Sequence, residues 1–108
     1  MAAVIIQDEF DPALPLVFRW TLATANQLTE FELPDYVKKI SLRFESNAGF
    51  FTFVGTDGAS LPTHYGKVDA DAWLEVNLSI QGRWNTAKTS IFVAADTNST
   101  VMEMLLEG

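Results

Sequence analysis

Cysteine is absent from the 108 residues, which removes disulfide staples, thiolate metal sites and cysteine nucleophiles together. That absence fits a reducing cytoplasm. There is one histidine, His64 in "LPTHYGK", and the Gly-x-Ser-x-Gly elbow is missing. His64 therefore reads as a solvent-exposed loop residue and not as a member of a triad or a zinc site. Long apolar runs are also lacking. The start "MAAVIIQDEF" has a five-residue apolar run and no basic stretch, so no secretory signal is expected. No segment approaches the roughly 18 apolar residues of a membrane helix. The six glycines are scattered, so no loop cradles phosphate.

Positive charge is scarce. Seven Lys and Arg stand against fourteen Asp and Glu, a net charge of −7, with no basic run longer than Lys38-Lys39. The electrostatic term that dominates nucleic-acid affinity is missing, and the charge reads as solubility. Carboxylates gather at Asp8, Glu9 and Asp11 and again at Asp69 and Asp71, without EF-hand spacing. They read as solvated loop charges. Glu30 with Glu75 is the pair that could serve glycoside hydrolysis, but both fall on polar strand faces. No catalytic residue, metal or cofactor is expected.

What the chain does have is alternation. Leu16, Phe18, Trp20 and Leu22 share one face of "LVFRWTLA", placing Trp20 in a core. Phe31 and Leu33 alternate with Glu30 and Glu32, and Ile40, Leu42 and Phe44 with Ser41 and Arg43. Leu74, Val76, Leu78 and Ile80 alternate with Trp73, Glu75, Asn77 and Ser79. Period two is the strand signature, because successive side chains point to opposite faces. "TSIFVAA" and "TVMEMLLE" read as strands joined by the turn "DTNS" into a final hairpin, and "SNAG" joins the strand at Ile40 to the run at Phe50. In that region Leu42, Phe44, Phe51 and Phe53 are expected to point together into the core, with Phe50 and Val54 facing away. "DGASLPTHYGKVDADA" reads as a loop holding a short strand or turn. The fold class is all-β, an antiparallel jelly-roll-like sandwich of seven to eight short strands. Residues 1–15 form an N-terminal arm, swapped or an edge strand, and residues 16–108 a single domain.

Exposed aromatics near polar loops suit both sugar sites and protein interfaces. Trp84 in "QGRWNTAK" and Tyr65 are the candidates, with Trp73 on the face opposite its strand's apolar set.

The segments "YVKKISLRFESNAGFFTFVGTDG", "WLEVNLSI" and "KTSIFVAADTNSTVMEMLL" resemble a recurrent type of small phage virion protein. These are β-sandwiches that decorate or cement capsids or sit at tail junctions. The resemblance covers about two thirds of the chain, from Tyr36 onward, and rests on strand pattern and loop style. It implies a non-enzymatic capsid cement or decoration protein that binds across neighbouring subunits and is assembled in the host cytoplasm. Its partners would be the major capsid protein or other virion proteins, with a homo-oligomer, such as a trimer, and neither nucleic acid nor membrane. The apolar Val4, Ile5 and Ile6 could add a strand to a neighbour, joined by Phe50, Tyr65 and Trp84 as contact residues. The reading from another class is a carbohydrate-binding sandwich using Trp84, Tyr65 and Trp73.

Overall fold

Alternating segments can bury one face only against another sheet, and this chain does so with two. The computed structural model describes residues 3–6, 10–11, 13–34, 37–78 and 89–108. Nine strands are seen among them: β1 (Val4–Ile5), β2 (Leu16–Leu22), β3 (Thr29–Leu33), β4 (Lys39–Phe44), β5 (Gly49–Thr52), β6 (Gly66–Val68), β7 (Leu74–Asn77), β8 (Thr89–Ala95) and β9 (Thr100–Glu107). One sheet has the order β1-β3-β8-β5-β6 and the other β2-β9-β4-β7. Apart from β1, these two orders are the paired Greek keys of a jelly roll. The expected class holds, with one strand more than anticipated. The antiparallel rule has one exception, since β1 pairs parallel to β3 (Val4 opposite Phe31).

The connections differ from expectation. β8 and β9 do not pair: "DTNS" carries the chain from one sheet to the other. "SNAG" does the same between β4 and β5, and among the described strands only β5 and β6 are consecutive and paired. The physical reason lies in the faces. Ile91 and Val93 of β8 and Met102 and Met104 of β9 are fully buried, and they bury against each other across the core. A hairpin would set those faces side by side and leave both needing cover. Positive φ at Ser46 (64°) and Ser99 (60°) turns each arch.

The arches brace one another at one end of the sandwich. Asp96 N donates to Ala48 O (3.1 Å), and Asn47 Nδ2 to Thr100 Oγ1 (3.2 Å). The β2–β3 connection joins them: Asn26 N donates to Ala95 O (2.7 Å) and Ala25 N to Asn98 Oδ1 (2.7 Å).

The main core lies between the sheets, with Phe31, Phe44, Ile40, Leu42, Ile91, Val93, Met102, Met104 and Leu106 among its members. β9, read against a helical alternative, alternates buried and half-buried along its whole length. Leu42 and Phe44 face Phe51 across the core, because they belong to different sheets. Phe53 departs from its expected place: β5 ends at Thr52, and Phe53 is exposed.

A second, smaller core covers the outer face of the five-stranded sheet. Leu28, Phe92 and Ala94 are buried there, with Phe50 and Leu61 packed against them. The irregular segment after β5 supplies the cover. Leu28 N donates to Ala59 O and Gly58 N to Leu28 O, both at 2.8 Å, and Asp57 Oδ1 accepts from Glu30 N (2.9 Å). The outer face of the other sheet is charged instead. Arg43 bonds Glu103 and Asp71, Arg19 bonds Glu45, and Lys39 lies between Glu75 and Glu107.

Candidate functional site

The open side of the sandwich is where β1 and β2 form the edges of their sheets. β2 runs seven residues, whereas the edge strand across from it has two. The inward residues of β2 are therefore unevenly covered. Leu22 is buried, but Trp20 is 40% exposed, although its phase directs it inward. This corrects the expectation of a core Trp20: the side chain points the right way, but the described strand across from it is too short to close over it. Its indole stacks on Phe18 at 6.0 Å and meets Phe31 edge-on at 5.9 Å. Those two contacts fix the ring while leaving part of it to solvent.

Beside the indole lies a cleft of about 330 Å³. Trp20 and Leu28 line it together with Thr21, Thr24, Gln27 and Thr29. Val4, Ala23 and Gly58 complete the wall, so its described lining carries no ionisable side chain. The wall is held by the chain's own hydrogen bonds. The 23–28 connection is tied to the β8–β9 arch as described above, and Ser99 N donates to Ala23 O (3.2 Å). Gln27 Nε2 donates to Gly58 O (2.9 Å), which orients the amide and keeps Oε1 as an acceptor. Gly58 takes φ +82°, a left-handed turn that favours glycine. Chemically the described lining offers an aromatic ring, hydroxyls and an amide, and no charged side chain.

The residues singled out from the sequence are dispersed. Val4 and Ile6 lie on the inward side of β1, Val4 half-buried and Ile6 at 0% exposure, while Ile5 points out and is 61% exposed. Phe50 is half-buried on the outer face of the five-stranded sheet, edge-to-face with the exposed Tyr65 at 5.2 Å. Trp73 is exposed, just before β7 of the other sheet. Trp84, like Asp8 and Glu9, lies outside the described residues. Glu30 and Glu75 stand on different sheets, and Glu30 accepts a hydrogen bond from Ser90 Oγ (2.5 Å). Asp71 is engaged by Ser46 N (3.0 Å) and Arg43 Nη2 (3.2 Å). His64 is exposed in its loop.

Sequence reasoning missed the Trp20 cleft. The signal available was a tryptophan near the end of a strand, followed by the polar turn "TANQLT". Fold and cleft together define a jelly-roll sandwich with an open recess at one edge whose described lining is uncharged. No protein-family model, curated protein or solved structure matches the chain.

Proposed function

We propose that this protein is a non-enzymatic virion component, a cement or decoration protein that binds across neighbouring capsid subunits. The observation that supports this reading best is the exposure of apolar residues on or just before the two edge strands, β1 and β2. Ile5 (61% exposed) faces outward from β1, and Leu14 (64%) and Val17 (56%) stand just before and on β2. Single exposed apolar residues are ordinary, but three on or beside strands that end their sheets suit a partner surface. Such an edge accepts either a strand or an apolar ridge from a neighbouring subunit. A lasting contact of this kind buries roughly 1,200–2,000 Å². The jelly roll agrees with the reading only by analogy, since the architecture serves capsid and lectin domains alike.

The test is sedimentation of the purified chain with shells assembled from the major capsid protein encoded nearest to it. Saturable co-sedimentation and a raised shell melting temperature are expected. A chain that stays in the supernatant at every ratio defeats the proposal. Light scattering on the free protein reports in parallel whether it is a trimer, as the resemblance implies.

A further inference from the structure

The geometry points to the Trp20 cleft as a binding site for a neutral sugar ring, a function separate from shell assembly. Three observations carry it. An indole that belongs by phase to the core is left 40% exposed. The groups around it are polar and uncharged, Thr24, Gln27 and Thr29, in a chain of net charge −7. The wall that carries them is tied by hydrogen bonds to the β8–β9 arch and to Gly58, so little ordering is needed when a ligand enters.

A pyranose matches each of these features. Its C–H face stacks on an aromatic ring, and its hydroxyls both donate and accept. The Oε1 of Gln27 and the hydroxyls of Thr24 and Thr29 offer acceptors and donors at the rim. An anionic ligand would find no cation in the described lining. A volume of about 330 Å³ is at the small end of ligand pockets, suited to one or two sugar rings. A peptide adding to the β2 edge would need backbone pairing along the strand. The cleft instead sits at the strand's end, beside the 23–28 connection.

The experiment is nitrogen-15 NMR of the full chain, whose three tryptophans give three indole N–H signals. Trp20→Phe assigns the relevant one. Glucose, galactose, mannose, N-acetylglucosamine, maltose, cellobiose and lactose are titrated to about 50 mM, a range that reaches the weak affinities of single sugar rings. At least one sugar is expected to move the Trp20 indole and the amides of Thr24, Gln27 and Gly58 saturably, leaving Trp73 in place. Trp20→Ala should weaken binding about tenfold. Gln27→Ala keeps the aromatic packing, and it should weaken binding or erase discrimination between glucose and galactose. The proposal is overturned if no sugar moves these signals, or if the shifts survive in both variants. Movement with N-acetyl-tryptophanamide but with no sugar also overturns it and marks an apolar peptide site. Shell sedimentation is read separately, so either reading can fail alone.

Discussion

Gly49 lies against the ring of Phe44: a Cβ on Gly49 would come within 2.2 Å of Phe44 Cδ1. The two residues stand at either end of the β4–β5 arch, one in each sheet, so the phenylalanine fills the space the glycine leaves. Gly49→Ala should therefore cost about 1–3 kcal/mol by overpacking. Phe44→Leu in the same chain should recover part of that loss, a non-additivity that urea denaturation of the four variants measures.

Ile5 and Ile6 are neighbours with opposite fates, one 61% exposed and the other 0%. Ile6→Ala is expected to destabilise by about 2–4 kcal/mol, as for a buried aliphatic truncation. Ile5→Ala should stay within about 0.5 kcal/mol. Equal small effects would mean that β1 is a loose arm and not part of the core.

The exposed edge residues proposed for assembly have their own control. Val17 is exposed on the outer side of β2, opposite Leu105. Val17→Lys should leave the melting temperature nearly unchanged while abolishing co-sedimentation with shells. Undiminished binding would remove Val17 and the outer side of β2 from the contact.

Ser46 and Asp71 share the left-handed conformation, with φ of 64° and 60°. Ser46→Gly keeps the backbone donor to Asp71 and relieves the strain, so it should stabilise by about 0.5 kcal/mol. Asp71→Gly relieves the same strain but loses the carboxylate that Ser46 N and Arg43 engage, and it should destabilise. Thermal melts of the two variants are expected to move in opposite directions.

Lys39 lies 3.3 Å from Glu75 and 3.5 Å from Glu107. Its hydrogen bond to Glu75, then the charges of Glu107 and Glu75, hold its pKa above the ordinary 10.5. The folded value exceeds the unfolded one, so this stabilisation is whole below 10.5 and disappears as pH rises through the folded value. Between about pH 9 and pH 12, Lys39→Met should lose less melting temperature than the parent chain. The pair is surface-exposed, so the difference should shrink in high salt.

Period two in the sequence was enough to assign β2, β3, β4 and β7 and their inward faces. Ile40, Leu42 and Phe44 are inward, as are Phe31 and Leu33, and Met102, Met104 and Leu106 follow the same rule. It holds because side-chain direction is a local consequence of extended backbone. The partner of each strand is not local. A four-residue polar turn such as "DTNS" can close a hairpin or cross between sheets. The choice depends on where the two apolar faces find cover, and here they find it in each other.

The cleft shows the same division. Alternation directs Trp20 inward, and no pattern in "LVFRWTLATANQLT" states what lies opposite. Its exposure follows from β1, which spans two residues against the seven of β2. Phe50 is a related case: its apolar character suggested a subunit contact, and the packing half-buries it against the chain's own Leu28 and Phe92. By itself the sequence determined an acidic, cysteine-free, all-β chain and the inward faces of β2, β3, β4 and β7. Only the tertiary structure decided which faces are covered, because burial depends on residues brought together from distant parts of the chain.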